Sequence, residues 1–542
     1  MTAVSSAPER TAPDASAGRA VLSLALRQIR RGALFVIGLV AGMSAVAVAA
    51  YASTVKDPAD AAALKALAGN PAIRTLFGEP VALDEAGGFA VWRTGTALAV
   101  VLSVWALLAA TRITRGEEDA GRWDVLLAGR VPVTAVVARH VAVLVAASLA
   151  AGTAAFTGLV AAGAAVSGAA VHGAALGLCG VFFAAAGMMA AQVFASRAAA
   201  SGAAVALLGT GMLLRMVGDG VAALGWLRWL SPFGLMALAR PYDGNRIWPL
   251  VVLLAACLVL ATGAVVAAGG RDIRGGYLRS SSGRAARTRL LGSVQAFAVR
   301  RLARPLAAWS AGVGAYYLLI GVLAMSMTDF LTDNPRFAEL AAQAGFTGLG
   351  TVPGYTAMLF ALLAVPAGVF VAVRLAALSA DEASRRLTLL YAQPLTRAAV
   401  LTGEVVAALG GVVVLTAVAG VATWTGTRAV GADLGFLPAL SGAWNVLPVA
   451  LLCMGAGVLA LGWAPRAVSV IGSFPAVGGF LLKVLAERSG LPAWVGQLSP
   501  FTHLAAVPDA PVNWPAALLM TAIAALAAAV GLIGYQLRDL RT

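Results

Sequence analysis

Apolar residues run along this chain in blocks of bilayer length, and the charges are confined to the short stretches between them. Between residues 21 and 31, Leu22, Ala25, Leu26 and Ile29 recur at helical spacing while Arg27, Gln28, Arg30 and Arg31 take the other face. That pattern predicts a short amphipathic helix lying in a membrane interface. The apolar run 33–52 follows, long enough to cross a bilayer core, which takes about 20 helical residues. A signal peptide shares this plan of arginines, apolar run and small residues. The length of the run, and the return of the same arrangement at 294–327, favour a retained helix. Further spans are predicted at 91–110, 133–166, 169–194, 199–217, 248–268, 306–327, 355–377, 398–425, 437–463, 468–485 and 514–536, twelve in all.

The connections assign sides. The acidic segments 53–90 and 328–354 belong outside, and the arginine-bearing turns inside. Residues 1–20, rich in Ala, Ser and Pro, read as a disordered cytoplasmic tail. Residues 270–305 carry nine arginines against the single acid Asp272 and read as cytoplasmic. Both termini are thus expected in the cytoplasm, and the Ala-, Arg- and Gly-rich usage, that of a GC-rich bacterial genome, points to a bacterial cytoplasmic (inner or plasma) membrane. Before the sixth span, residues 218–247 are too aromatic for a simple linker. Trp226, Trp229 and Phe233 suit headgroup depth, and a re-entrant or surface-lying segment is expected there.

The plan runs twice. Asn70-Pro71 returns as Asn334-Pro335, Gly211-Met-Leu-Leu-Arg215 as Gly479-Phe-Leu-Leu-Lys483, and Leu230-Ser-Pro-Phe233 as Leu498-Ser-Pro-Phe501. Trp248-Pro249 returns as Trp514-Pro515, and Arg271-Asp-Ile-Arg274 as Arg538-Asp-Leu-Arg541. Ordered landmarks at near-constant separation indicate an internal repeat. The expected fold is an all-α polytopic membrane protein of two parallel six-helix repeats: tail 1–20, first half 21–269, basic linker 270–293 and second half 294–542. An even number of spans per half gives both the same orientation.

Composition agrees and narrows the function. With 60% hydrophobic and 12% charged residues, the chain lies far from the roughly 25% charged of soluble domains. The net charge of +15 sits between spans, where topology explains it, so nucleic acid is not an expected partner. Cys179, Cys257 and Cys453 lie singly in apolar runs, and His140, His172 and His503 are scattered, so neither a disulfide framework nor a metal site is expected. No GxxxxGK[ST] occurs, so no P-loop nucleotide site and no cofactor are assigned to this chain.

The densest charge is in Thr114-Arg-Gly-Glu-Glu-Asp-Ala-Gly-Arg-Trp-Asp-Val-Leu-Leu127, echoed by Ser379-Ala-Asp-Glu-Ala-Ser-Arg-Arg-Leu-Thr-Leu-Leu390. Laid on each other, Asp381 and Glu382 match Glu118 and Asp119, Arg385 matches Arg122, and Leu389 and Leu390 match Leu126 and Leu127. Thr114 and Ser379 each precede a Glu by three residues, the spacing of a capping box, so a short helix is expected at each turn. Such helices can present Trp123, Leu126 and Leu127 to a groove on a partner, with the charges setting register. Arg215 with Asp219 and Lys483 with Glu487, at helical spacing near the outer ends of spans five and eleven, read as structural pairs or an outer gate.

These features together resemble ABC-2-type exporter permeases, and the duplicated form is similar to actinobacterial permeases of polyketide-antibiotic, tetronasin-resistance type. The sharpest part is Glu117-Glu-Asp-Ala-Gly-Arg122 through Leu127, followed by Pro132; the second copy departs with Ser384, Arg386 and Pro394. The resemblance implies coupling turns at Glu117, Glu118, Asp119, Gly121, Arg122, Trp123, Leu126 and Leu127, and at Asp381, Glu382, Arg385, Leu389 and Leu390. It also implies two copies of a separate ATPase that holds the ATP and Mg, a lipid surround, and outward movement of hydrophobic or amphiphilic compounds. A secondary drug–proton antiporter, and an exporter of lipid or glycolipid, are the alternatives.

Overall fold

The computed structural model describes all residues except 1–13, 56–57, 130, 279–290, 336–347, 349, 384–386, 388–389, 391, 489–491 and 539–542. Among the described residues the chain is all-α, its one β pairing an isolated bridge between Phe194 and Leu278. Among the described residues twelve helices are long and apolar enough to cross a membrane. The chain divides into two compact units, Met1–Arg284 and Ala285–Thr542.

In the amino-terminal unit spans one to six are Asp14–Ala49, Ala86–Thr111, Val133–Ala161, Val166–Val193, Arg197–Gly220 and Trp248–Gly269. Span two packs on span four, span one on span three, and span six on span four. Spans three and four meet backbone to backbone. A Cβ at Gly152 would lie 2.3 Å from the Gly173 carbonyl oxygen, so the small residue sets the approach distance.

Spans seven to nine of the other unit are Val294–Val322, Val352–Ala383 and Arg397–Ala429. Span ten is two helices, Phe436–Trp444 and Leu447–Trp463, and spans eleven and twelve are Val468–Arg488 and Trp514–Leu537. The break in span ten falls just before Pro448, which lacks the N–H a continuous helix would use. In both units the second and fourth spans carry the core: 56% and 72% of their apolar windows are buried in one unit and 61% and 61% in the other, against 28% and 17% for the sixth.

The repeat landmarks make equivalent contacts. Ser231 Oγ donates to the Gly211 carbonyl at 2.6 Å, and Ser499 Oγ to the Gly479 carbonyl at 2.8 Å, each anchoring a loop to the preceding span. Pro249 and Pro515 both stand in the first turn of a helix, where the missing N–H costs nothing.

Three expectations are corrected. The amphipathic segment 21–31 is not a separate interfacial helix: it is continuous with span one, because no proline or turn interrupts the chain between them. Its inward face is Val21, Ala25 and Ile29, whereas Leu26 is exposed. The aromatic loop forms a 3₁₀ helix, Ala222–Leu230, and an α-helix, Pro232–Leu238. Trp226 and Trp229 are exposed, but Phe233 is fully buried and stacks on Phe183 at 5.3 Å.

Candidate coupling turns and the latches behind them

Span two does not stop at the charged block. It runs on through a π-helical turn, Arg112–Gly116, and one further turn, Glu117–Asp119. Thr114 therefore caps nothing; its hydroxyl donates to the Ala110 carbonyl at 2.6 Å inside the helix. Ser379 likewise lies within span eight and donates to the Pro465 carbonyl at 2.9 Å. The capping-box reading fails at both copies because the helix has not yet ended. The reversal comes at Gly121, whose φ of 74° is left-handed and easy for glycine alone. The helix Arg122–Leu127 then begins.

This geometry turns Glu118 inward. It is 1% exposed and lies between two guanidiniums, Arg115 Nη1 at 3.1 Å and Arg271 at 2.6 and 2.8 Å. Arg115 also donates to the carbonyls of Ala191, at 3.0 Å, and Gly275, at 2.8 Å. Arg271 Nε donates to Gln192 Oε1 at 2.8 Å. One carboxylate thus ties the turn after span two to the end of span four and to the strap that follows span six. Asp119 accepts the Arg197 backbone N–H at 2.8 Å, fixing the start of span five.

The remaining residues of the block divide between core and surface. Trp123 is buried against His140, with ring centroids 6.1 Å apart. Leu126 and Leu127 are half-buried. Beyond Gly121 the exposed positions are Arg122, which pairs with Glu117 at 2.6 Å, Asp124, which pairs with Arg274, and Val125 at 81% exposure. The outward knob is therefore Val125, which sequence reading did not single out. Trp123 supports the turn from below.

In the carboxy-terminal unit Arg538 Nη2 pairs with Glu382, and Nη1 donates to the Leu461 carbonyl at 2.9 Å. The pairings Glu118–Arg271 and Glu382–Arg538 are equivalent, which moves the repeat alignment by one position. Asp381 then matches Glu117, Leu387 matches Trp123, Leu390 matches Leu126 and Glu404 matches His140. Burial supports this register, since Leu387 is buried as Trp123 is. Asp381 pairs with Arg301, which also reaches Glu404 at 3.1 Å, and Arg374 lies 3.3 Å from Glu404. Arg385 and Leu389 lie outside the described residues.

At the opposite end of the amino-terminal unit, Arg215 and Asp219 are both buried and pair at 2.6 Å. Arg228 reaches Glu79 at 2.6 Å and Asp219 at 3.6 Å, and Arg240 reaches Glu79 at 3.7 Å. Gly78 packs directly on Arg215, where a Cβ would lie 2.1 Å from Nη2. The pair is thus one part of a charged latch joining two loops and span five. Lys483 is half-buried on span eleven, and the Glu487 side chain lies outside the described residues. Sequence reading missed Glu79, Arg228 and Arg240, which stand apart in the chain with no local spacing to join them. It recorded Arg271 and Arg538 as repeat landmarks without seeing that each faces an acid.

Among the described residues no group of three or more His, Cys, Asp or Glu could hold a metal ion. Twelve bilayer-length helices, in two units that each tie the turn after the second span to the sixth, define an all-α polytopic membrane protein. Its sequence matches the family described as multidrug efflux system permease Rv1217c, C-terminal domain, over residues 19–267 and 291–536. The chain belongs to that family. It is 30% identical over 464 residues to the multidrug efflux system permease protein Rv1217c of Mycobacterium tuberculosis (strain ATCC 25618 / H37Rv), an alignment covering 85% of this chain and 84% of that one.

Proposed function

We propose that this chain is the membrane subunit of an ATP-driven exporter of the ABC-2 type, moving hydrophobic or amphiphilic drugs out of a bacterial cell. In this reading a separate ATPase, in two copies per permease chain, holds the ATP and Mg and pushes on the turns after spans two and eight. Both termini then lie in the cytoplasm, with the Glu79–Arg228 latch outside. The observation that carries the reading is the duplicated acid–arginine tie, Glu118–Arg271 and Glu382–Arg538. A turn fastened this way cannot move without moving the ends of its neighbouring spans, which is the property a force-receiving element needs. Transport then requires that the pathway's two states differ in affinity for the drug.

A proton antiporter would instead need a carboxylate free to load and release a proton within the membrane. The buried acids Glu118, Asp219 and Glu404 each lie within 3.3 Å of an arginine, which disfavours that reading. The test is drug uptake into inverted vesicles holding this chain, with and without a separate ABC ATPase subunit. Val125→Asp changes the exposed knob without touching a latch, and is expected to abolish copurification with the ATPase while thermal unfolding stays as in the parent. Export that proceeds without ATPase, or copurification that Val125→Asp leaves intact, would defeat the proposal.

A further inference from the structure

Beside the first turn the amino-terminal unit holds an open cleft of about 700 Å³. Leu24 and Gln28 of span one form one wall, Trp123 and Leu126 the other, and Glu117 and His140 complete it. Most of this lining is apolar or aromatic. Three of its polar groups offer acceptors, Gln28, His140 and Glu117, and the Arg122 guanidinium stands at the rim. Gln28 Oε1 is enclosed and meets no hydrogen-bond donor among the described residues. His140 is 1% exposed, and its Nδ1 lies 2.8 Å from the Val136 carbonyl. A carbonyl can only accept, so Nδ1 carries the proton and Nε2 is left as the ring's acceptor. Glu117 adds a carboxylate whose partner, Arg122, holds it by two hydrogen bonds from the exposed rim, where the guanidinium stays open to solvent.

The other unit shows what such a set of groups accommodates. In the corrected register Asp381 stands for Glu117 and Glu404 for His140, and matching the inward stripe Val21, Ala25, Ile29 to Val294, Ala298, Leu302, of which Ala298 and Leu302 are buried, places Arg301 where Gln28 stands. There the Arg301 guanidinium lies between Asp381 and Glu404. The amino-terminal unit keeps acceptors at these positions and, among the described residues, has no cation at the inner one; Arg122 stands at the rim.

We propose that this cleft is a binding site for an amphiphilic cation, an ammonium or phosphonium group on an apolar body, whose charge takes the place that Arg301 fills in the carboxy-terminal unit. Trp123 supplies an aromatic face for the cation and Leu24 and Leu126 a surface for its apolar part. The same chemistry is offered by a free compound and by the headgroup of a zwitterionic lipid.

Equilibrium binding of tetraphenylphosphonium to the full-length chain in nanodiscs tests this, with empty discs subtracted and tetraphenylborate as the anion of equal shape. No ATPase is present and no transport is measured, so the outcome is independent of the export mechanism. Saturable binding of the cation and not the anion is expected. Gln28→Arg, which gives this unit the other's internal cation, should weaken binding on the order of tenfold. Glu117→Gln, an isosteric change at the rim, should weaken it roughly threefold and serves even where Gln28→Arg does not fold. In discs of fixed phosphatidylglycerol content, weaker binding when an uncharged glycolipid is replaced by phosphatidylethanolamine would identify the resident cation as a lipid headgroup, and equal binding a free compound; both support the site. Absence of saturable binding, equal binding of the anion, or parental affinity in Glu117→Gln and in any folded Gln28→Arg overturns it.

Discussion

At the turn after its second span, the amino-terminal unit gathers its buried negative charge on one carboxylate, Glu118, shared by two guanidiniums and closed to solvent. The carboxy-terminal unit distributes the same task over Asp381, Glu382 and Glu404 with Arg301, Arg374 and Arg538. The first arrangement is dry; in the second, Glu382 and Arg538 keep 12% and 20% of their side-chain surface. The difference matters physically. A buried charge stranded by loss of its partner cannot be rescued by water, whereas a partly wetted one can. The amino-terminal tie should therefore be all-or-none and the carboxy-terminal one graded.

The strongest way to break that comparison is to remove the acids singly. Glu118→Gln strands Arg115 and Arg271 together, and a stranded buried charge costs about 3–5 kcal/mol. Glu382→Gln removes one charged hydrogen bond from a partly wetted site, worth about 1.5–3 kcal/mol. Amide exchange at each turn, read with thermal unfolding in detergent, should show the amino-terminal turn opening far more than its counterpart. Equal losses would mean that the two ties are equally buried in the working protein. A smaller effect is expected from replacing the arginines by lysine. Arg271→Lys loses the fork that spans both Glu118 oxygens and Gln192, about 2 kcal/mol. Arg538→Lys keeps one charge contact and loses about 1 kcal/mol in the same exchange measurement. A reversed order would sink the assignment of Arg271 as the central member.

The number and approximate ends of the spans were legible in the sequence because lipid crossing demands long apolar runs, and such runs declare themselves without knowledge of contacts. The repeat was legible for a similar reason: Leu230-Ser-Pro-Phe233 and its copy are local strings with one local job. The charged turns were found, yet their inner geometry was not. Whether Glu118 faces a partner or the core depends on where span two ends, and the π turn at Arg112–Gly116 has no local signature. Its partner Arg271 lies 153 residues away, a separation that no periodicity reports. The one-residue slip in the alignment had the same origin. Acid pairs matched well at either register, and the facing arginines, with the burial of Leu387, chose between them.

The weakest test contrasts the dry tie of Glu118 with the wetter latch at the far end of the same unit. Burial raises the Glu79 carboxyl; the Arg228 hydrogen bond and the charges of Arg228, Arg240 and Arg74 outweigh it and leave the group below its ordinary value of 4.5. A carboxylate whose folded pKa is depressed lends stability above its unfolded pKa and loses it as pH falls through the folded one. Protection of the loop helix Pro71–Phe77 from amide exchange should thus be constant from pH 7 to about 5 and decline below about 4.5. The decline should amount to less than about 1 kcal/mol, since Glu79 is 31% exposed and screened. Glu79→Gln should be less protected at neutral pH and should not show this decline, while Glu118→Gln should leave the far-end profile as in the parent. A Glu79→Gln profile that still falls below pH 4.5 would assign the acid sensitivity of this end to another carboxylate, with Asp219, which shares Arg228, the next to replace.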